Sequence, residues 1–144
     1  MIPESIKKIC ADYSPEQTAV INNAYLLAQQ ALQGKMRSNG HPFLEHAVGV
    51  AKIVSLEIGL DSSSVAAVFL HEASRDNPSL LESFVGDDTA KNLASSLNRI
   101  SQIKPRDTKL EADRYRKLIA SYSPDARVFI IKLADRLEIM RSLF

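Results

Sequence analysis

The chain has 144 residues, enough for one domain with one core, and its 45% hydrophobic and 24% charged content excludes a disordered or low-complexity segment. A formal net charge of +1, with Lys and Arg spread along the sequence, gives no reason to expect nucleic-acid binding through a broad basic surface and leaves room for a local basic pocket. The single cysteine, Cys10, rules out an internal disulfide and suits a reducing cytoplasm. The apolar run Val65 to Leu70 is far short of the ~20 residues that span a bilayer, and the N-terminus lacks the apolar run of a secretion signal.

Prolines punctuate the chain where helices can begin, since a first-turn proline gives up an N–H that has no partner anyway: Pro15, Pro42, Pro78 and Pro124. Ser14-Pro15-Glu16-Gln17 offers a capping serine and a capping-box glutamine, and Ser123-Pro124-Asp125 repeats the serine, proline and acid. The first long helix is predicted to bury Val20, Ala24, Leu27, Ala28 and Ala31 before Gly34 stops it. The next carries Ala47, Val50, Ala51, Val54 and Ile58 up to Gly59. A third is predicted over about Ser62 to Glu72, a fourth and fifth within Pro78 to Ile103, a sixth over about Asp107 to Ser121, and a last from Pro124 onward. No segment alternates with a two-residue period, so the fold class is all-α without a repeat. Glu138 to Phe144 lacks a Gly or Pro stop, so the last helix is expected to run to Phe144 and the 144 residues to belong to a longer polypeptide.

Three polar insertions interrupt these apolar faces: His46, the pair His71-Glu72, and Asp135. Val128 and Ile131 lie seven and four residues before Asp135, so the acid shares their inward stripe. His71 closes the apolar run, and His46 leads into Val50 and Ile53 at helical spacing. A lone core histidine is usually satisfied by hydrogen bonding. Two histidines and two acids on three helices can instead form one divalent metal site, whose nitrogen and oxygen ligands suit Mn²⁺, Fe²⁺ or Zn²⁺, with carboxylates favouring the harder ions and spacing alone naming none of them.

The stretch from Arg37 through Gly40-His41-Pro42-Phe43 to His46, the blocks Leu60-Asp61, Ala66-Ala67 and Leu70-His71-Glu72, and the tail Glu111 to Lys117 with Ile130 to Leu137 and Met140 to Leu143 resemble one family. It is the hydrolase domain of the RelA/SpoT alarmone synthetase/hydrolases, within the HD-domain superfamily of metal-dependent phosphohydrolases. The resemblance runs from roughly Gln30 to the end. It implies a helical bundle in which Mn²⁺ serves to hydrolyse ppGpp or pppGpp at the 3′-pyrophosphate. It further implies His46, His71, the acid after it and Asp135 as metal ligands, and Arg37 against the guanine. Longer members carry a synthetase domain downstream in cis, which the resemblance leads us to expect here.

Four departures from that family fall in the implied centre. Glu72 stands where its hydrolases carry Asp, and Arg75-Asp76 stands for the acidic pair that serves the attacking water, which leaves Asp76 alone as a catalytic candidate. Ile139 and Glu138 replace the family's nucleotide-contacting Asn and the His before it, and Ser38-Asn39 replaces Lys-Ser. A fixed cation at position 75 repels a metal and accepts no proton. These changes favour a degenerate, regulatory hydrolase-like domain. An active Mn²⁺-dependent (p)ppGpp hydrolase and a non-catalytic helical interaction module are the alternatives.

Overall fold

The structure is a computed structural model describing residues 2–101 and 125–143. Among them are seven α-helices and no strand: α1 (Glu4–Ile9), α2 (Pro15–Ala31), α3 (Phe43–Lys52), α4 (Ser62–Ser74), α5 (Leu80–Ser83), α6 (Asp88–Ser101) and α7 (Ala126–Arg141). An isolated antiparallel bridge joins Met36 to Pro42. The predicted sixth helix, Asp107 to Ser121, lies outside the described residues.

The hub is α4, whose residues are buried on every side except the half-buried Ser63. A helix apolar all round must be enclosed, and α2, α3, α6 and α7 all pack against it. Phe69 is fully buried and meets Tyr25 of α2 edge to face, with ring centroids 5.6 Å apart. Asp61 caps α4 by accepting from the Ser64 amide.

The start of α2 follows its sequence: Ser14 accepts from the Gln17 amide and Gln17 returns the bond to the Ser14 amide. Its buried stripe is Ile21, Ala24, Tyr25 and Ala28; Ala24 and Ala28 are buried as predicted, while Ile21 and Tyr25 take the central places and the predicted Val20, Leu27 and Ala31 are half-buried on the flanks. The helix after Pro42 changes character at Ile53, where a π-helical segment runs to Ile58. The Gly59 amide reaches back five residues to the Val54 carbonyl (3.0 Å), and Gly59 itself sits at φ +80°, a conformation that favours glycine. The wider turn breaks the helical phase, so Ile58, predicted inward, is exposed.

Pro78 precedes only the single turn α5, and α6 starts at Asp88. Asp125 caps α7 by accepting from the Arg127 amide, so the helix begins at Ala126. It ends at Arg141 with Ser142 as its C-cap, short of the expected run to Phe144. Two ion pairs hold α7 along its length: Arg127 to Asp61 (2.6 Å) and Arg141 to Glu57 (2.7 Å). Between these anchors the helix lays Asp135 and Glu138 over α3.

Candidate active site

His46, His71, Glu72 and Asp135 are all buried, in agreement with their placement in apolar stripes. His46 projects from the first turns of α3 toward α7. Its Nε2–H donates to Asp135 Oδ1 at 2.7 Å and its Nδ1–H donates to Glu138 Oε2. Glu138 can lie there because residue 49 is glycine: a Cβ at Gly49 would stand 2.9 Å from the Glu138 Cγ. Burial opposes the charged imidazole, yet the hydrogen bond and charge of Asp135, with Glu72 and Glu138 behind them, raise His46 above the ordinary histidine range. Burial likewise opposes the Asp135 carboxylate, but His46 and then Lys132 hold it below the ordinary aspartate range. The two form an imidazolium–carboxylate pair.

His71 is organised differently. Its Nδ1–H donates to Asn98 Oδ1 (2.7 Å), Asn98 Nδ2 donates to Ser74 Oγ (2.8 Å), and the Ser74 hydroxyl donates to the Leu70 carbonyl (2.6 Å). This buried relay leaves the Nε2 lone pair facing the other acids, the form a metal-binding histidine takes. Burial holds the His71 pKa below its ordinary value, against an upward pull from Glu72. The imidazole is therefore neutral.

Glu72 converges on both rings, with Oε1 3.6 Å from His71 Nε2 and 4.0 Å from His46 Nε2. The same oxygen accepts from Arg75 Nη2 at 2.9 Å, and that nitrogen lies 3.5 Å from His71 Nε2. Single ligand atoms of His46, Glu72 and Asp135 all lie within 4.8 Å of one another, a group that could hold a metal ion. One imidazole and two carboxylates suit a divalent ion. Ligation through His46 Nε2 would require the proton now shared with Asp135 to leave.

Beside this cluster lies a cavity of about 220 Å³ whose wall, among the described residues, carries Arg37, Arg75, Lys132 and Arg136 together with the paired His46 and Asp135. Ile139 and Phe43 supply apolar surface to it. Arg37 reaches the wall from the 35–43 loop, where its amide donates to the His41 carbonyl and its guanidinium lies 3.7 Å from Glu138. Arg37 and Arg75 flank the Phe43 ring, each with Cζ 5.9 Å from its centroid. Asp76 stands apart, with an exposed side chain 3.9 Å from Lys35.

Residues 24–144 match the family model described as an HD domain. The chain belongs to the HD-domain family. It is 37% identical over 145 residues to the bifunctional (p)ppGpp synthase/hydrolase SpoT of Escherichia coli (strain K12), covering 97% of this chain and 20% of that protein. The guanosine-3′,5′-bis(diphosphate) 3′-pyrophosphohydrolase of Vibrio cholerae is 33% identical over 145 residues, covering 97% of this chain and 20% of that protein. The GTP pyrophosphokinase rsh of Brucella melitensis is 32% identical over 136 residues, covering 91% of this chain and 18% of that protein. The chain thus spans about a fifth of the length of these curated relatives.

The sequence did not disclose Asn98 as part of this HD-type site, and it marked Glu138 as a departure in the centre without disclosing its role. Asn98 sets the His71 tautomer, and Glu138, read only as a lost histidine, orients His46. The signal for Asn98 was present: with Leu93, Ala94 and Leu97 it falls on the buried stripe of α6.

Proposed function

We propose that this is the HD-type domain of a RelA/SpoT-like protein of (p)ppGpp metabolism, with a degenerate hydrolytic centre and a regulatory role. One observation carries the reading: the Arg75 guanidinium is bonded to Glu72 and lies against the bare nitrogen of His71, two of the four ligands that the family resemblance implies. A dication bound by His46, His71, Glu72 and Asp135, Mn²⁺ by the same resemblance, would lower the pKa of its water and screen phosphate charge. Here Arg75 contributes no base. Asp76 points to solvent beside Lys35, and Ile139 offers the nucleotide no hydrogen bond.

The cationic cavity supports nucleotide recognition: Arg37, Arg75, Lys132 and Arg136 on its wall suit a pyrophosphate group, and Arg37 beside the Phe43 ring suits a guanine. The relatives' greater length supports a synthetase domain in cis, to which this domain responds. No described helix is long and apolar enough to cross a membrane, and the buried free Cys10 is in keeping with the cytoplasm, where we place the protein.

The second reading, an active Mn²⁺-dependent (p)ppGpp 3′-pyrophosphohydrolase, is favoured by the closeness of His46, Glu72 and Asp135. Pyrophosphate release from ppGpp with Mn²⁺, measured against an Asp135→Ala variant of verified fold, separates the two. Release no faster than in the variant supports the degenerate centre. Mn²⁺-dependent release lost in the variant overturns it.

A further inference from the structure

Arg75 is the C-cap residue of α4, a position from which a long side chain ordinarily reaches solvent. Its side chain stays about a third exposed, yet its head group bends back over the end of the helix toward the cluster. Nη2 donates to Glu72 Oε1 at 2.9 Å, lies 3.5 Å from His71 Nε2, and the guanidinium carbon stands 5.9 Å from the Phe43 ring centroid. Its Nε is buried without a hydrogen-bond partner among the described residues, a cost that a solvated rotamer would avoid. What holds the head group is the Glu72 carboxylate, only 2% exposed and in need of a cation.

The consequence shows in the cavity wall. Arg75 lines it, whereas neither Glu72 nor His71 does, so the guanidinium stands between the cavity and these two donors. A divalent ion would sit about 2.0–2.2 Å from a carboxylate oxygen and an imidazole nitrogen, in the space that the Nη2 hydrogens fill. Glu72 Oε1 cannot serve both in this arrangement. With Arg75 in place the wall is already cationic toward the cavity.

We propose that the Arg75 guanidinium is the resident cation of this centre: it competes with divalent ions for Glu72 and His71 and lets the adjoining cavity hold a pyrophosphate group without metal. The pyrophosphate half rests on the functional reading above; the competition with metal rests on geometry alone. Arg75, Lys132 and Arg37 each share their charge with an acid, Glu72 at 2.9 Å, Asp135 at 3.9 Å and Glu138 at 3.7 Å, and only Arg75 does so by covering two of the implied metal ligands while lining the cavity.

The test is calorimetric titration of Mn²⁺ and, separately, of inorganic pyrophosphate in EDTA into the wild-type domain, Arg75→Gln and Arg75→Lys. Arg75→Gln is expected to bind Mn²⁺ at least about tenfold more tightly than the wild type, the scale on which a changed ligand shell moves metal affinity. Arg75→Lys, which keeps the charge, is expected to stay weak. Pyrophosphate is expected to bind the wild type in EDTA and to weaken in Arg75→Gln. Should Arg75→Gln fail to fold, Arg75→Met keeps the stem against Phe43 and repeats the comparison. Equal Mn²⁺ affinity in wild type and the neutral variant, or pyrophosphate binding abolished by EDTA, overturns the proposal. Either result can arise in a domain that hydrolyses nothing, so it leaves the degenerate reading intact, which only ppGpp turnover would remove.

Discussion

Replacing Asn98 with Ala removes the support of His71 and nothing else of comparable size. Asn98 is 8% exposed, His71 5% and Ser74 0%, so water does not replace what is lost. Two hydrogen bonds of 2.7 and 2.8 Å disappear, each worth about 1 kcal/mol, and the orphaned His71 N–H adds a desolvation cost of about 1–3 kcal/mol that overlaps the first bond. The net loss is about 2–4 kcal/mol, since both orphaned groups are neutral and the cavity left by an amide is small. At about 3 °C per kcal/mol for a chain of this size, Tm falls by about 6–12 °C. Urea unfolding followed by circular dichroism gives the free energy by linear extrapolation. Asn98→Asp keeps an acceptor for the imidazole N–H and is expected to retain more stability than Asn98→Ala. A loss below about 0.5 kcal/mol in Asn98→Ala, the range of surface changes, would refute the claim that this relay is what fixes His71.

The two buried histidines have opposite linkage, so stability is expected to peak near pH 6.5, their common reference value. His46, raised, contributes fully below 6.5 and loses its contribution as pH rises through its folded value, while His71, lowered, costs stability as pH falls below 6.5 toward its own. Asp135, lowered from 3.8, adds a further loss in acid, and His46→Gln is expected to flatten the alkaline limb in urea titrations across pH. Gly49→Ala sets a helix gain of about 1 kcal/mol against a Cβ only 2.9 Å from Glu138 Cγ. The variant is expected to fold, with Glu138 displaced and the His46 pKa lowered in an NMR titration; an unchanged His46 titration would contradict the orienting role of Glu138.

What the sequence disclosed was local or periodic. The Ser14-Pro15 start of α2 was legible because a capping box needs only neighbours, and α4 because an unbroken apolar run can only be enclosed. His46, His71, Glu72 and Asp135 stood out because each interrupts an apolar stripe, and burial follows from the stripe. The π segment at Ile53–Ile58 was not legible, since a five-residue reach to Val54 leaves the same residues apolar and the same glycine at the end. The bend of the Arg75 head group toward the cluster was not legible either. On sequence it is a helix-end cation with an ordinary solvated alternative, and only the joint placement of Glu72, His71 and Phe43 from two helices draws its head group in. Glu138 shows the same limit: its spacing from Asp135 puts it on the same face of α7, but its partner on α3 depends on the close approach that Gly49 permits.

The placement of Arg75 is tested most directly by a crystal structure of the domain grown with Mn²⁺ and ppGpp, with data collected at the manganese absorption edge. The expected map shows the Arg75 guanidinium between Glu72 and His71, intact nucleotide in the basic cavity and no anomalous peak at the cluster. An anomalous peak bound by His46, Glu72 and Asp135, with Arg75 turned out to solvent, would contradict it.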